Sequence, residues 1–317
     1  MDVKKVVKSL LKKGFQTQAS DLYLFPTGEK YELTYRYHHE IESYQVVDKK
    51  IGEKLILYLK YLGGMDIAEK RKTQTGSATI KVKEKQLRVR VSSVADYQNR
   101  ETLVIRFLHQ KETPLRCRYI LPSQQQQLTS LINKKGLYLF SGPTGAGKST
   151  TMYELANQLY EERRQQIITI EDPVEIEHSS FLQFQVNEKI DLSYEELVKV
   201  CLRHRPDVLI VGEIRDQETA KIVVRAALTG HMVFSTIHAS NKESVRLRLL
   251  DFNIPSIELD QCLCGVIYQE LLQTTENKQY GVLYDFFING EETNWEKSLE
   301  EAYKKRVISQ KVFDCYH

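Results

Sequence analysis

Residues 137–149 read Leu-Tyr-Leu-Phe-Ser-Gly-Pro-Thr-Gly-Ala-Gly-Lys-Ser, an apolar run that passes directly into a glycine-rich loop. The loop fits the pattern Gly-x-x-x-x-Gly-Lys-Ser, and the helical stretch Thr150–Glu162 follows it. Glycines let backbone N–H groups wrap phosphate oxygens at the first turn of a helix. Because strand, loop and helix occur in the order that the motif needs, the segment predicts a phosphate-binding loop (P-loop).

Each part of the predicted loop has its own task in binding a nucleotide. Lys148 supplies a positive charge to the β- and γ-phosphate oxygens, and Ser149 offers its hydroxyl to Mg²⁺. The sequence therefore predicts ATP and Mg²⁺ as cofactors. The predicted cofactor-binding residues are Gly142, Pro143, Thr144, Gly145, Ala146, Gly147, Lys148, Ser149 and Thr150.

Three further apolar runs indicate how the loop is supported. Ile167–Ile170, Val208–Val211 and Val233–Thr236 alternate with helical stretches, as in a mainly parallel sheet that is covered by helices. Candidate catalytic motifs accompany the ends of these runs. Ligands of open α/β sheets bind at the carboxyl ends of the strands, so the motifs are expected to lie near the P-loop.

The run Asp207–Gly212 leads into Glu213, an acidic residue at the position of the second motif of a P-loop enzyme. Gly212 stands where many such proteins have a metal-binding aspartate, so Glu213 is predicted to be the general base for the attacking water. A structural salt bridge to Arg215 is the alternative. Mg²⁺ would be held by Ser149, phosphate oxygens, waters and another acid.

The other acid is expected in the segment Glu171–Glu175, where Pro173 stops a strand and leaves three carboxylates together. Such a cluster is by itself more often a solvated turn. His231 and His238 flank the strand of residues 232–236, so one or both could reach the nucleotide edge of the sheet. The alternative is that both histidines are structural.

The N-terminal third follows a different pattern. Residues 1–15 predict a basic amphipathic helix, either packed on the surface or touching lipid. Short alternating strands surround a predicted helix at Gly52–Leu62, which indicates a small α+β domain. The predicted organisation is an N-terminal α+β domain at 1–108, a linker at 109–122 and a P-loop ATPase domain at 123–317 with a C-terminal helical extension that includes Trp295–Val307.

Composition excludes several other classes of protein. The chain has 317 residues and a net charge of +3, from 45 basic and 42 acidic residues, so no overall field indicates nucleic acid as the direct partner. Its five cysteines match neither a disulfide framework nor a four-cysteine zinc site, so they are expected to be reduced, as in the cytoplasm. No apolar run approaches the length of a membrane span. Any membrane location is therefore expected to come through partners.

Four ordered motifs together resemble the type II secretion and type IV pilus ATPase family. They are the P-loop (Walker A), Ile170–Glu175 (the Asp box), Val211–Asp216 (Walker B) and Thr229–Ala239 (the His box). The likeness extends from Ala19 to Leu272 and includes Ala19–Leu24 and the arginine-bearing strands of the first domain. The resemblance implies a RecA-like ATPase domain that follows a small PAS-like domain.

The resemblance also implies roles for single residues and for partners. Glu171 would assist Mg²⁺ or water, Glu213 would be the base, and His231 and His238 would sense the γ-phosphate. In a homo-hexamer, arginines matching Arg88, Arg90 and Arg106 would approach the γ-phosphate bound by a neighbouring subunit, as arginine fingers do. The implied location is the cytoplasmic face of the membrane, on a polytopic inner-membrane platform protein.

The sequence departs from the family pattern in several places. It reads Arg205-Pro206-Asp207 where relatives have Asp-Pro-Asp, and Tyr268-Gln269-Glu270-Leu271 where they have Ala-Gln-Arg-Leu. The compact length most resembles the competence ATPases of Gram-positive bacteria, which drive a pseudopilus for DNA uptake. Retraction and type II secretion motors share the four motifs and remain alternatives. A DNA translocase and a non-catalytic scaffold are the rivals from other classes.

Overall fold

The computed structural model describes residues 2–37, 40–82, 85–108, 118–187, 190–276 and 279–317. The chain forms two compact units, Met1–Lys111 and Glu112–His317. Most of the predicted linker, residues 109–117 with Cys117, lies outside the described residues. The other four cysteines, Cys201, Cys262, Cys264 and Cys315, are free thiols.

The first unit is an antiparallel sheet with two helices packed on one face. Its strands lie in the order β3-β2-β1-β6-β5-β4, and each neighbouring pair is antiparallel. This is the small α+β domain that the sequence predicts. Its elements are α1 (Val3–Gln16), β1 (Asp21–Thr27), β2 (Lys30–Tyr37), β3 (Glu40–Asp48), α2 (Lys49–Leu62), β4 (Gln74–Val82), β5 (Lys85–Ala95) and β6 (Glu101–Leu108).

Alternation along the strands decides which face of this sheet the helices cover. On β1, Leu22 and Leu24 are fully buried, whereas Phe25 on the opposite face is 42% exposed. Helix α1 packs Leu10 and Leu11 into the same core, so its lysines face away from the core. The sheet therefore keeps a second, uncovered face within this unit, here called the outer face.

The second unit is a helix-covered sheet that carries the P-loop. Its elements are α3 (Pro122–Leu131), β7 (Gly136–Ser141), α4 (Lys148–Arg163), β8 (Ile167–Glu171), β9 (Leu182–Gln185), α5 (Tyr194–Arg203), β10 (Val208–Ile214), α6 (Gln217–Leu228), β11 (Met232–Ile237), α7 (Lys242–Asp251), α8 (Ser256–Cys262), β12 (Leu263–Gln273), β13 (Tyr280–Ile288), β14 (Glu291–Glu292), α9 (Trp295–Lys304) and α10 (Gln310–Tyr316).

Strands of this sheet lie in the order β14-β13-β12-β7-β11-β10-β8-β9. From β12 to β9 every neighbouring pair is parallel, and β13 and β14 are added antiparallel at one edge. Two apolar cores cover the two faces: α4 packs on the face of Phe140, and α6 and α7 pack on the face of Leu139. The predicted mainly parallel α/β sheet is confirmed.

The C-terminal extension differs from the helical one that the sequence predicts. Strands β13 and β14 precede α9 and α10, and β13 pairs with β12 along its whole length. Six successive β13 residues from Gly281 to Phe286 are buried, as in a strand covered on both faces. The predicted helix at Trp295–Val307 is present but ends at Lys304. Within the described ranges, no helix has the length and apolar character to cross a bilayer.

Candidate active site

The P-loop joins β7 to α4 through backbone that favours glycine. Gly142 has a φ of +139°, and Gly145 and Gly147 each have a φ of +82°. Side chains rarely adopt such angles. A Cβ atom on Gly142 would also lie 2.2 Å from the backbone oxygen of Gln269. The turn thus favours glycine at all three positions, and the closeness of β12 requires it at Gly142.

Lys148 is the first residue of α4, and its ammonium group contacts the loop itself. Its Nζ donates hydrogen bonds to the carbonyl oxygens of Gly142 and Pro143, at 2.9 and 2.8 Å. Burial lowers the pKa of Lys148, while the charge of Glu213 opposes that shift. A phosphate group at the loop would offer this buried cation a far stronger acceptor than a carbonyl oxygen.

A β-bulge at Gly212 sets the direction of Glu213. Val211 pairs with Ser235 of β11, but Glu213 pairs with Thr236, the next residue of β11. Such an extra residue reverses the alternation of side chains. Two cross-strand bonds hold the bulge, from Ser235 Oγ to the Val211 carbonyl and from Thr236 Oγ1 to the Gly212 carbonyl. Glu213 therefore shares the sheet face of Thr236, on the side of α4.

Glu213 has two charged neighbours in addition to Lys148. Arg215 forms an ion pair with its Oε1, which is the structural salt bridge considered as the alternative role. His238 Nε2 lies 3.9 Å from its Oε2. Burial lowers the pKa of His238 below 6.5, the Lys148 charge lowers it further, and Glu213 opposes both. The predicted base, the loop lysine and one predicted histidine are therefore electrostatically coupled.

Glu171 ends β8 with its side chain buried, at 6% exposure. Its Oε1 accepts hydrogen bonds from the Tyr153 hydroxyl and, at 2.7 Å, from Thr169 Oγ1. Burial raises the pKa of Glu171 above 4.5, although these donors favour the charged form. Tyr153 lies one helical turn after Ser149 on α4, so both residues share a helix face. Glu171 is thereby held beside the face of α4 that carries Ser149.

The two predicted histidines do not meet. His238 follows the carboxyl end of β11, on the P-loop side, whereas His231 precedes its amino end. There the His231 carbonyl accepts from the Gly136 N–H at the start of β7, and the His231 ring lies 3.1 Å from the Thr229 hydroxyl. Of the two histidines, one or both of which could reach the nucleotide edge, His238 lies at that edge of its own sheet and His231 lies at the opposite edge.

Arg88, Arg90 and Arg106 lie together on the outer face of the first unit. Arg90 and Arg106 are direct cross-strand partners, and Arg88 is two residues from Arg90 on β5. Arg106 Nε donates to Asp21 Oδ1 at 3.1 Å, and Asp21 in turn is the cross-strand partner of Arg36. The predicted arginines thus form a basic row, which also includes Arg36, a residue that the sequence reasoning missed.

Beside the P-loop is an open cleft of about 730 Å³ whose lining includes Gly142, His238, Arg248 and Glu270. Among the described residues, no group of three or more histidine, cysteine or acidic side chains could hold a metal ion. The donors near the loop, Ser149 and the Glu171 carboxylate, suit a cation that keeps waters and takes its other ligands from phosphates. This chemistry fits Mg²⁺ bound together with a nucleotide.

Such a P-loop at the carboxyl edge of a parallel sheet, with two acidic residues on neighbouring strands, defines a P-loop ATPase. The chain belongs to the Type II/IV secretion system protein family, whose model matches residues 1–312. The predicted family and ATP hydrolysis as its activity are confirmed.

Competence protein ComGA of Streptococcus pneumoniae strain R6 is 44% identical over 267 residues, which cover 84% of this chain and 82% of that protein. ComGA of Bacillus subtilis strain 168 is 38% identical over 272 residues, covering 85% and 76%. The crystal structure of the pilus retraction motor PilT with bound ADP aligns with a TM-score of 0.75, over 98% of this chain and 96% of that one. At 24% identity, this last likeness shows the shared fold.

Replacing Glu171 by glutamine is expected to raise the stability of the protein at neutral pH. Because the folded-state pKa is raised, keeping the carboxylate charged costs free energy above pH 4.5. Glutamine retains an acceptor oxygen for Tyr153 and Thr169. Thermal unfolding should show Glu171→Gln more stable by about 1 kcal/mol at pH 7.5, with the gain disappearing as the pH falls toward 4.5.

Glu175→Gln is the control, because it removes the same charge from an exposed position of the same segment. The Glu175 charge contributes a little to the raised pKa of Glu171, so this variant should raise stability by less than about 0.5 kcal/mol. A Glu171→Gln variant that is less stable than the wild type at pH 7.5 would show that the buried charge is net favourable, contrary to this account.

The coupling of His238 to its two charged neighbours gives opposite shifts in two variants. Lys148→Met removes a cation and should raise the pKa of His238, whereas Glu213→Gln removes an anion and should lower it further. NMR titration of the imidazole signals measures both, and His238→Gln assigns the resonance. Equal pKa values in the three proteins would mean that these groups are not neighbours in solution.

Proposed function

We propose that the chain is a hexameric ATPase motor that drives assembly of a competence pseudopilus, a type IV pilus-like filament for DNA uptake. The observation that carries the proposal is the 44% identity to a competence protein over 84% of this chain and 82% of that one. A match to the P-loop unit alone would support only nucleotide hydrolysis. Type II secretion and pilus retraction remain alternative uses of the same motor.

In the proposed reaction, the P-loop N–H groups and Lys148 bind the phosphates of ATP. Lys148 exchanges the carbonyls of Gly142 and Pro143 for phosphate oxygens. Ser149 and Glu171 would hold Mg²⁺, which would supply positive charge to the phosphates. Glu213 orients and deprotonates the attacking water, and its ion pair with Arg215 fixes the position of the carboxylate.

His238 is proposed to report the γ-phosphate to the rest of the sheet. Its lowered pKa keeps the ring neutral at physiological pH, so it can donate or accept a hydrogen bond without adding charge. It also lies beside Glu213, which it can help to orient. His231, at the other end of β11, has no such position in its own subunit.

A ring of subunits would supply the arginines. The outer face of the first unit carries the row of Arg36, Arg90 and Arg106 and also exposes large apolar side chains, including Ile41 at 57% and Val46 at 53%. A face that combines apolar and cationic residues is typical of a protein interface. We propose that it packs against the P-loop unit of a neighbouring copy, with Arg88, Arg90 and Arg106 toward the γ-phosphate.

The proposed partner outside the ring is a polytopic platform protein of the inner membrane, which would receive the motion caused by hydrolysis. Family membership supports this partner, and the peripheral location on the cytoplasmic face follows from it. No direct contact with nucleic acid is proposed, because basic and acidic residues nearly balance.

Mixing two inactive variants tests the shared site. Lys148→Ala keeps the arginines but loses its P-loop, and Arg90→Ala keeps the P-loop but loses an arginine. If arginines act between subunits, random mixed hexamers contain intact composite sites at about one quarter of their interfaces. Steady-state ATP hydrolysis of a 1:1 mixture should therefore recover to about one quarter of the wild-type rate.

The control is a mixture of Lys148→Ala with Glu213→Gln. Both changes lie in the same unit of one subunit, so no site in a mixed hexamer contains both intact residues and the mixture should stay inactive. A double variant carrying Lys148→Ala and Arg90→Ala, mixed with neither partner, should stay inactive. Light scattering reports the mass of each sample. Full activity of a monomer, or no recovery in mixed hexamers, would rule out the proposed shared site.

The cellular role is tested by replacing the chromosomal gene with its Glu213→Gln form in the parent bacterium. Loss of the base should slow hydrolysis at least about hundredfold, so filaments and transformation should both be lost while the protein level is unchanged. Surface filaments are counted by electron microscopy and transformants by plating.

Other outcomes identify the alternatives. Excess filaments would indicate a retraction motor, and retention of normally exported proteins would indicate a type II secretion motor. Hydrolysis by the purified protein that rises strongly on addition of DNA would instead favour a nucleic-acid translocase. Each of these results contradicts the competence proposal.

A further inference from the structure

Two neighbouring side chains at the C-terminal side of the sheet reach the P-loop. Gln269 of β12 and Tyr284 of β13 are cross-strand partners, so both project from the same face of the sheet. Gln269 Nε2 donates a hydrogen bond to the Ala146 carbonyl at 2.6 Å. The Tyr284 hydroxyl lies 2.9 Å from the Thr151 hydroxyl on α4. Gln269, Tyr284 and Thr151 are each fully buried.

The bond to Ala146 fixes the direction of a group that faces phosphate. The Ala146 carbonyl and the Gly147 N–H belong to one planar trans peptide, so they point in opposite directions. Gln269 holds the carbonyl on the β12 side, and the Gly147 N–H is thereby directed away from β12. In a P-loop the inward N–H groups bind the phosphate oxygens. A glutamine on β12 thus sets the orientation of a ligand-binding N–H group.

The second contact acts on the helix that follows. Thr151 N–H donates to the Gly147 carbonyl at 3.0 Å, which closes the first turn of α4. The N–H groups before it have no partner within the helix and form its anion-binding end. Tyr284 holds the Thr151 side chain in place, so it fixes this turn relative to the sheet.

The chemistry of Gln269 indicates that its donor group is what matters. Its Oε1 is buried and has no hydrogen-bond partner among the residues that the structure describes. An unsatisfied buried acceptor is costly. The unsatisfied Oε1 of Gln269 costs stability, whereas its Nε2 makes a short hydrogen bond to the loop. Such a side chain is suited to positioning the loop rather than to stabilising the core.

Helix α3 contacts Tyr284 at the edge of β13 that faces away from β12. Gln124 Nε2 donates to the Tyr284 carbonyl at 2.8 Å, and the Tyr284 N–H donates to Gln124 Oε1 at 3.1 Å. Gln124 therefore satisfies both backbone groups of Tyr284, as a neighbouring strand would. Helix α3 is the first helix after the predicted linker. Two successive contacts, Gln124 to Tyr284 and Tyr284 to Thr151, therefore connect the linker end of this unit to α4.

We propose that Gln269 and Tyr284 form a loop clamp that orients the Gly147 N–H and the first turn of α4 for phosphate binding, with Gln124 fixing the clamp to α3. Both clamp residues are positioning residues, because they act through the loop and not on the nucleotide. The proposal concerns nucleotide binding by the isolated protein and does not depend on which filament the motor serves.

The test compares ADP binding in the full chain carrying Gln269→Met or Tyr284→Phe. Methionine has a similar length without the donor, and phenylalanine removes only the hydroxyl. Titration with a fluorescent ADP analogue should show a Kd about fivefold to tenfold higher for Gln269→Met and about threefold higher for Tyr284→Phe. Melting temperatures without nucleotide should stay within about 2 °C, or rise for Gln269→Met, while the stabilisation by ADP decreases.

Tyr138→Phe is the matched control. Tyr138 is also buried in this sheet, but its hydroxyl bonds to the Lys134 carbonyl at the amino end of β7, away from the P-loop. Its ADP Kd should equal that of the wild type. Unchanged ADP affinity in both clamp variants would overturn the proposal, and so would an equal loss in all three variants. If the wild type does not bind ADP, the assignment of the P-loop as a nucleotide site is itself wrong. Lys148→Ala tests that assignment separately, because it should abolish ADP binding.

Discussion

The left-handed backbone of the P-loop is the constraint on which the rest of the site depends. Gly142, Gly145 and Gly147 all have positive φ angles, and a side chain on Gly142 would collide with the backbone of β12. A side chain in such a conformation costs about 1–2 kcal/mol per residue, so the turn is closed to most sequences. The loop can therefore be formed and held in place before any nucleotide binds. Neighbouring strands then deliver their polar residues to a fixed position.

Charge explains why this preformed site should favour a nucleotide. Lys148 is only 9% exposed, and its direct partners are two neutral carbonyl oxygens. Glu171 is equally buried, and it accepts hydrogen bonds from the hydroxyl groups of Tyr153 and Thr169, so neutral dipoles solvate its charge too. Lys148 and Glu171 are thus buried charges of opposite sign that do not pair with each other. A ligand that pairs with them would gain favourable electrostatic energy. A phosphate with its cation would supply a partner to both.

The sequence predicted the elements of the site better than their arrangement. The P-loop, the parallel strands and the acidic strand ends follow from local patterns, because glycine spacing and apolar runs are properties of adjacent residues. Gly212 shows the limit: a one-residue bulge, visible only in the pairing with β11, reverses the face of Glu213. The motif spacing also did not reveal that His231 precedes the amino end of β11 and so lies at the edge of the sheet opposite the P-loop. Gln269 contacts a residue more than a hundred positions away, and no local pattern marks such a partner.

The antiparallel edge of the sheet adds something that a purely parallel ATPase sheet would lack. A parallel strand brings only its carboxyl end to the ligand edge, whereas β12 and β13 form a hairpin that brings Gln269 and Tyr284 there side by side. Beyond this hairpin, α9 shares a small apolar core with Ile120 and Leu121, the residues that enter α3. The β12–β13 hairpin thus connects three parts of this unit. Buried hydrogen bonds join it to α3 and to the P-loop with α4, and an apolar core joins it to α9. A displacement of α3 that moved Tyr284 would change the geometry of the first turn of α4, and by the same contacts phosphate binding would resist that displacement.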